Sequence, residues 1–426
     1  MNIVQITPGA GGMYCGNCFR DNALVAELRR LGHSTLMLPL YLPMTLDEAD
    51  QSAGTPIFFG GISVYLEQKV ALFRHAPNWL RNLLASPPLL KLAAGKAAKT
   101  RAADLGELTL SMLRGEEGNQ ARELEELIDW LQKQSPPHVI CLSNALLLGL
   151  ARRLKTSLHT RIVCMLQGED EFLDALPSPH REACWRELAE RAREVDRFIA
   201  PSRYFADLMA ARLALRPDQV HVVYNGISLV GYDTLETSVN STAPTLGYFA
   251  RMCREKGLDL LIRAFILARK RIPALRLKIG GSCGPGDTAF VEECRQLLTN
   301  AGVLDSVEFH PNLDRDAKIR FLRSLTVFSV PAKYSEAFGL YLIEAWAAGV
   351  PVVQPRKSSF PELLAATGGG LLCDNDAESL AEGIADLAGS PEKARQLGNA
   401  GRNQVRQHFT SSAMAREVAK VLADLG

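Results

Sequence analysis

The chain has 426 residues, enough for two domains with complete hydrophobic cores, and its hydrophobic share of 47% is ordinary for a water-soluble protein. A net charge of +1 argues against a general nucleic-acid binder. Nine cysteines, an odd number scattered along the chain, favour reduced thiols and a cytoplasmic protein over a disulfide framework.

The first predicted elements are a strand at 2–6, a helix at 21–31 and a strand at 34–40. This alternation predicts a parallel sheet with crossover helices. Because residues 1–7 have the pattern of a strand and lack the apolar core and cleavage site of a signal peptide, we expect no secretory signal. No apolar run approaches the length of a membrane span.

A glycine loop with the sequence Gly-Ala-Gly-Gly occupies 9–12, between the first strand and the first helix. Backbone amides at such a position are placed to bind an anion, which makes Gly11 and Gly12 candidate ligand contacts. The loop lacks the third glycine of a dinucleotide fingerprint, and no acidic residue closes the second strand. The alternative is a turn whose glycines only let strand and helix pack closely.

Cys15 and Cys18 lie at the start of the same helix, where the helix dipole favours a thiolate. The pair has either a redox or metal-binding role, or the two small side chains only pack beside the glycine loop. A second cysteine pair at zinc-ribbon spacing is absent, so the sequence does not support a four-cysteine zinc site.

The segment 69–101 has seven Lys or Arg residues and no Asp or Glu. Its apolar residues at 79, 80, 83 and 84 form one helical stripe. One interpretation is an interfacial segment that contacts anionic lipid at the inner membrane face or an anionic acceptor. The other is a packed helical insertion with a solvated basic face.

A second copy of the strand and helix alternation begins with a strand at 245–250, a helix at 258–271 and a strand at 275–279. The preceding segment 237–244 is rich in Ser, Thr and Asn and ends in Pro, which is typical of a linker. The sequence therefore predicts two doubly wound α/β domains with a boundary near residue 240. We found no internal repeat beyond this shared pattern.

Two basic residues are predicted at the start of the second domain, where Arg251 ends the first strand and Lys256 opens the following helix. An arginine fork and a lysine point charge at the carboxyl end of a strand suit a phosphate-containing ligand. The alternative is a solvated basic loop that also includes Arg254.

Two carboxylates lie eight positions apart, Glu336 in a polar turn and Glu344 in an apolar helix predicted to begin near Gly339. The helix follows an apolar strand at 325–330, so its first turn lies where ligands bind in doubly wound sheets. A carboxylate among apolar neighbours needs hydrogen-bond donors, and sugar hydroxyls are such donors. Taken by themselves, the two residues better fit a structural role, with one capping glutamate and one buried, hydrogen-bonded glutamate.

Two Asp-x-Asp pairs, at 314–316 and 374–376, precede helical segments and are predicted to cap them rather than to bind a metal. We therefore expect no essential metal and no cofactor, with charge compensation from Arg251, Lys256 and helix termini.

The chain resembles the retaining glycosyltransferases of the GT-B fold that carry the Glu-x7-Glu signature, the group 1, family 4-like glycosyl transferases. The resemblance covers about residues 198–409. Its motifs are the Ala-Pro-Ser at 200–202, the Asn-Gly-Ile at 225–227, the strand, arginine and Glu-Lys-Gly at 246–257, the Glu-x7-Glu helix at 336–351, the Pro-Glu at 361–362 and the glycine-rich strand at 368–372. The N-terminal glycine loop and the segment 61–66 are similar to starch and glycogen synthases.

This resemblance implies two Rossmann-like domains that face a cleft, an acceptor-side domain at 1–240 and a donor-side domain at 241–409, with a helix at 410–426 that crosses back to the first. It implies transfer of a sugar from a nucleoside-diphosphate sugar with retention, by front-face attack. Glu336 would hold sugar hydroxyls, and Glu344 would bind the ribose. The remaining implied donor contacts are Gly11, Gly12, Gln167, Gly281, Phe338, Gly339 and Leu340.

Two positions depart from the family pattern. Gln167 stands where many members carry a histidine, and an amide bonds a hydroxyl but does not act as a base. Ser358 and Ser359 replace the usual glycine pair before Pro361. Two other functions also stay open at this point: a nucleotide-sugar epimerase on the same fold, and a non-catalytic protein that binds nucleotide sugars.

Overall fold

The computed structural model describes residues 1–9, 16–46, 48–59, 102–232 and 243–425. The chain divides into two compact units: unit 1 comprises Met1–Tyr224 with Met414–Gly426, and unit 2 comprises Asn225–Ala413. Several predicted features lie outside the described residues: the domain boundary near 240, Gly11 and Gly12, Cys15, and the basic segment 69–101.

Unit 1 contains a parallel six-stranded sheet with the strand order β2-β1-β3-β4-β5-β6. The strands are β1 (Asn2–Thr7), β2 (Ser34–Pro39), β3 (Val139–Leu142), β4 (Arg161–Met165), β5 (Arg197–Ala200) and β6 (Val220–Val222). The helices are α1 (Gly16–Arg30), α2 (Ala102–Leu113), α3 (Ala121–Leu131), α4 (Ala151–Leu158), α5 (Glu169–Asp174), α6 (His180–Ala192) and α7 (Arg203–Leu213). Strands β3 and β4 consist almost entirely of buried apolar residues, which is expected when helices cover both faces of a parallel sheet.

Unit 2 contains a second parallel six-stranded sheet, with the order β9-β8-β7-β10-β11-β12. Its strands are β7 (Thr245–Phe249), β8 (Arg276–Gly281), β9 (Val307–Pro311), β10 (Val327–Phe328), β11 (Val352–Pro355) and β12 (Gly370–Cys373). Its helices are α8 (Leu258–Arg271), α9 (Thr288–Asn300), α10 (Arg315–Arg323), α11 (Leu340–Ala347), α12 (Phe360–Thr367), α13 (Ala377–Ala388) and α14 (Pro391–His408). The two parallel sheets confirm the predicted α/β class with two doubly wound domains.

The strand order of unit 2 reverses between β7 and β10. In doubly wound folds such a switch point leaves a crevice at the carboxyl ends of the two strands, and ligands bind there. The loops that leave β7 and β10 at this edge carry Arg251, Lys256 and Glu336. Helix α8 has the predicted bounds, whereas the predicted strand at 325–330 is only two residues long in β10.

The last helix, α15 (Ser411–Ala423), connects the two units in sequence. Its residues Met414, Ala415 and Val418 are buried and belong to the hydrophobic core of unit 1, together with Leu24 of α1 and Val163 of β4. This packing assigns the end of the chain to the first unit although it follows the second in sequence. Among the described residues, no helix is long and apolar enough to cross a bilayer.

Candidate functional site in unit 2

The turn that carries Lys256 is docked against the segment that follows β10. Lys333 N donates a hydrogen bond to Glu255 O at 2.8 Å. Gly257 adopts a φ of +74°, and a Cβ added there would lie 1.9 Å from Pro331 O. Because only glycine permits both this conformation and this approach, the turn is held close to residues 331–336.

Lys256 and Glu336 form an ion pair, with 2.7 Å between Lys256 Nζ and Glu336 Oε2. The Glu336 side chain is only 12% exposed, so its carboxylate has lost most of its hydration. Tyr341 OH donates to the same oxygen at 2.9 Å, and Tyr334 OH does so at 3.1 Å. The ammonium of Lys256 also lies 4.6 Å from the ring centroid of Tyr334 and 5.2 Å from that of Tyr341.

These contacts keep Glu336 ionised. Burial acts to raise its pKa, but the charge of Lys256 and the hydrogen bonds from Lys256, Tyr341 and Tyr334 outweigh burial and lower the pKa from its ordinary value. The site thus has an anionic, hydrogen-bonded carboxylate directly beside a cation.

The backbone that follows Glu336 is fixed by Ser359. Its side chain is fully buried, and its hydroxyl donates to Phe338 O at 3.0 Å. Its amide donates to Glu336 O at 3.3 Å. Gly339 then caps α11 with a φ of +91°, a conformation that glycine adopts without strain. The amides of the first turn of α11, which Leu340 opens, therefore begin directly beside Glu336 and are suited to an anion.

Glu344 lies one turn into α11 and is not fully buried, since its side chain is 19% exposed. Its Oε1 pairs with Lys318 Nζ of α10 at 2.8 Å. Lys318 therefore supplies one of the hydrogen bonds that the carboxylate of Glu344 requires.

Arg251 is anchored by Asp287, a residue at the end of the loop after β8. The guanidinium Nε lies 3.1 Å from Asp287 Oδ1, and Nη2 lies 2.9 Å from the same atom. Asp287 is 6% exposed and also accepts a bond from Gly284 N at 3.0 Å. Gly281 begins this loop with a φ of +123°, and a Cβ there would lie 1.9 Å from Ala250 O, so the loop packs against the end of β7.

In unit 1, Gln167 follows β4 in a turn that is closed by Glu169. The buried carboxylate of Glu169 accepts bonds from Gln167 N at 2.9 Å, Gly168 N at 3.0 Å and Ala145 N at 2.7 Å. These bonds join the turns after β3 and β4, so the backbone at Gln167 is rigidly held.

Asp314 and Asp376 are helix N-caps, as predicted. Asp314 Oδ1 accepts from Ala317 N at 2.8 Å, and Asp376 Oδ1 accepts from Ser379 N at 2.7 Å. Within the described part of the chain, no group of three or more His, Cys, Asp or Glu residues is arranged to hold a metal ion.

Residues 236–404 match the family described as "Glycosyl transferases group 1", and residues 112–230 match "Glycosyltransferase Family 4". Together the two matches cover about two thirds of the chain and include every site residue of unit 2 described above. The second unit is thus similar to the group 1 glycosyl transferases over residues 236–404. The resemblance inferred from the motifs is thereby confirmed.

Proteins similar to this chain include the alpha-maltose-1-phosphate synthase of Mycolicibacterium smegmatis, which is 31% identical over 50% of this chain and 59% of its own length. The D-inositol 3-phosphate glycosyltransferase of Streptomyces griseus is 29% identical over 48% of this chain and 49% of its own length. The chain thus spans about half the length of the curated relatives it matches.

Solved structures confirm the GT-B fold of this chain. The sucrose-phosphate synthase of Thermosynechococcus elongatus has a TM-score of 0.73 and 20% identity, covering 100% of this chain and 98% of its own. HepE of Anabaena in complex with UDP has a TM-score of 0.69 and 18% identity, covering 100% of both chains.

Of the predicted site residues, the structure brings Lys256 and Glu336 into direct contact. Arg251 and Glu344 instead pair with residues that we did not predict, Asp287 and Lys318.

The sequence reasoning also missed Tyr334, Tyr341 and the role of Ser359. The sequence did contain a signal for the tyrosines, because they lie two residues before and five residues after Glu336 and each has a hydroxyl that can donate to it. Asp287 had none, because a single aspartate before a helix is an ordinary cap.

Proposed function

We propose that this chain transfers a sugar from a nucleoside-diphosphate sugar to an acceptor, with the donor bound at the switch point of unit 2. The observation that carries the proposal is the ionised Glu336 beside Lys256 at the carboxyl ends of β7 and β10. A carboxylate that accepts sugar hydroxyls next to a cation that binds phosphate is the pairing that a sugar diphosphate requires.

Lys256 and Arg251 would stabilise the departing diphosphate, on which negative charge develops as the glycosidic bond breaks. Arg251 is suited to this because its side chain is 61% exposed while Asp287 holds one edge of the guanidinium. The amides around Phe338, Gly339 and Leu340 would add hydrogen-bond donors to sugar and phosphate. We propose that these groups act without a metal ion.

Glu336 would hold hydroxyls of the donor sugar, and Glu344 would bind the ribose of the nucleotide. Lys318 binds Glu344 Oε1 and thereby fixes the orientation of the carboxylate. The second oxygen of Glu344, Oε2, is then held in position for the ribose. Gln167 of unit 1 is proposed as a further donor contact through its amide.

We propose retention of anomeric configuration by front-face attack, in which the leaving phosphate takes the acceptor proton. Because we assign both Glu336 and Glu344 to recognition, this proposal includes no protein nucleophile of the kind that a double displacement requires. The names of the relatives support sugar transfer in general and leave the donor and acceptor of this chain to experiment.

The decisive experiment is a thermal-shift panel with UDP, GDP and ADP, followed by turnover assays with sugar conjugates of the nucleotide that binds. A ligand that binds only the folded state raises the melting temperature by mass action. Lys256→Ala and Glu336→Ala should then abolish turnover while the protein stays folded. Matched controls are Lys393→Ala and Glu382→Ala, which remove exposed ion pairs of unit 2 and should leave turnover unchanged.

Full activity of both site variants, or no stabilisation by any nucleotide, would show that the site is assigned wrongly. Conversion of the donor sugar in the absence of any acceptor would instead indicate an epimerase. Loss of activity in EDTA that is restored by a divalent cation would contradict metal independence, and the anomeric configuration of the product, read by NMR, would test retention.

A further inference from the structure

Three hydrogen-bond donors converge on one oxygen of Glu336. Lys256 Nζ, Tyr341 OH and Tyr334 OH lie 2.7, 2.9 and 3.1 Å from Oε2. The other oxygen, Oε1, accepts no hydrogen bond from the described residues. A carboxylate has about four lone-pair sites over its two oxygens, so three donors on one oxygen saturate it while the other stays available to a ligand.

Of these three donors, Lys256 is the one that a donor diphosphate would compete for, because it carries the charge. If Lys256 moves to the diphosphate, Glu336 loses its ion pair inside a site where its side chain is only 12% exposed. A buried carboxylate without donors is costly and tends to take up a proton instead. The two tyrosine hydroxyls would remain on Oε2 and prevent this.

The two rings also bind the lysine independently of Glu336. The ammonium lies within 5.2 Å of both ring centroids, which is within the range of a cation–π contact. Tyr341 is 8% exposed and packs tilted against Phe328 of β10 at a centroid distance of 6.3 Å, so its hydroxyl is held in place by the core.

From this geometry we infer that Tyr334 and Tyr341 are positioning residues that keep Glu336 ionised, with Oε1 facing the sugar, when Lys256 transfers to the diphosphate of the donor. The inference rests on the proposed function, and it assigns the tyrosines a role that Lys256 and Glu336 alone do not fill. No bond is made or broken in this step; one ammonium group exchanges one anionic partner for another. The groups that face Glu336 and set its ionisation are Lys256, Tyr334 and Tyr341.

The test uses the double variant Tyr334→Phe with Tyr341→Phe, which removes both hydroxyls and keeps both rings over Lys256. The single variants serve if the double variant proves unstable. Tyr248→Phe is the matched control, since its buried hydroxyl donates to the carbonyl of Arg251 at 2.7 Å rather than to Glu336. Titration calorimetry with UDP, GDP or ADP, whichever stabilises the wild type, measures the dissociation constant in buffers of different ionisation enthalpy.

In the double variant, which lacks two hydrogen bonds to a charged group, the dissociation constant should rise about tenfold or more. Binding near pH 5.5 should also take up additional protons, up to about one per site, because Glu336 then protonates when Lys256 leaves. The nucleotide itself also takes up protons, and this contribution is the same for the wild type, the Tyr248→Phe control and the double variant. The difference in proton uptake between the double variant and the other two proteins therefore reports on Glu336.

Equal proton uptake and equal affinity in the double variant and the wild type would overturn the inference. Weaker binding with unchanged proton uptake would also overturn it, because the tyrosines would then act on the fold alone. Neither result would affect the proposed function, provided that the wild type binds the nucleotide and turns over its sugar conjugate. A wild type that binds none of the three nucleotides instead refutes the proposed function itself.

Discussion

Asp170 should destabilise the protein at neutral pH. It follows Glu169 at the start of α5 and is only 4% exposed, and its Oδ1 has no hydrogen-bond partner among the described residues. Burial raises the pKa of this carboxyl from 3.8 to about 6; the charge of Glu169 adds to the rise, and hydrogen bonds from nearby backbone N–H groups oppose it without cancelling it. A group with a raised pKa binds its proton more tightly in the folded state than in the unfolded state.

The sign of the effect follows from proton linkage. Below about pH 4 the carboxyl is protonated in both states and contributes no penalty. As the pH rises from about 4 to about 6, the unfolded state loses the proton first, and the folded state becomes relatively less stable. Above about pH 6 the penalty is complete, and a shift from 3.8 to about 6 corresponds to about 3 kcal/mol.

The substitution Asp170→Asn removes the titrating group and keeps an oxygen that accepts from the backbone. We expect it to stabilise unit 1 by up to about 3 kcal/mol at pH 7.5 and by close to zero at pH 4. Urea unfolding of the wild type and the variant at several pH values between 4 and 8 gives this difference directly. The reasoning is refuted if the difference does not depend on pH, or if the variant is less stable at pH 7.5.

Glu169→Gln is the matched comparison, since it alters the adjacent carboxyl in the same way. Glu169 accepts from three backbone amides, and a glutamine can present only one oxygen to them. Its NH2 group would face at least one N–H donor, so we expect a loss of about 1–3 kcal/mol. Two neighbouring carboxyls should therefore respond in opposite directions to the same chemical change.

Three further predictions concern unit 2. Ser358 has a φ of +56°, a strained conformation for serine, so Ser358→Gly should raise the unfolding free energy by up to about 1 kcal/mol in urea titrations; a loss would contradict this explanation. Lys318→Met should weaken nucleoside-diphosphate binding about tenfold in calorimetry, because Glu344 loses its partner, and Lys318→Arg should recover most of the affinity. Asp287→Asn keeps the bond from Gly284 N and removes the charge that orients Arg251, so the donor KM should rise several-fold with little change in melting temperature. An unchanged KM would show that Arg251 needs no anchor.

Most of the fold could be predicted because its signals are local. The alternation of apolar strands and amphipathic helices is visible within windows of about fifteen residues, and α8 was predicted with its observed bounds. Strand β10 was predicted too long, at 325–330, because the buried apolar run extends beyond the two residues, Val327 and Phe328, that have full strand pairing. An apolar sequence indicates burial both in a strand and in the residues next to it. Only the pairing of the backbone with a neighbouring strand distinguishes the two.

The site was predicted less completely because its contacts join distant parts of the chain. Lys256 and Glu336 are 80 positions apart, and the backbone bond from Lys333 to Glu255 that brings them together has no sequence pattern. The partners of Arg251 and Glu344 were missed for the same reason. A sequence motif indicates which residues contact a ligand. The residues that position those contacts depend on the tertiary packing of each protein, which has no local sequence pattern.

The serines at 358 and 359 depart from the family pattern, and Ser359 contacts the backbone of the candidate site. Ser358 adopts the positive φ that glycine prefers, and Ser359 places its buried hydroxyl on Phe338 O. Ser358 therefore carries backbone strain that a glycine there would avoid, and Ser359 adds a hydrogen bond to the segment that carries Glu336. In the proposed reaction Ser359 would act on the donor sugar through the backbone that positions Glu336, because its observed bonds are to that backbone.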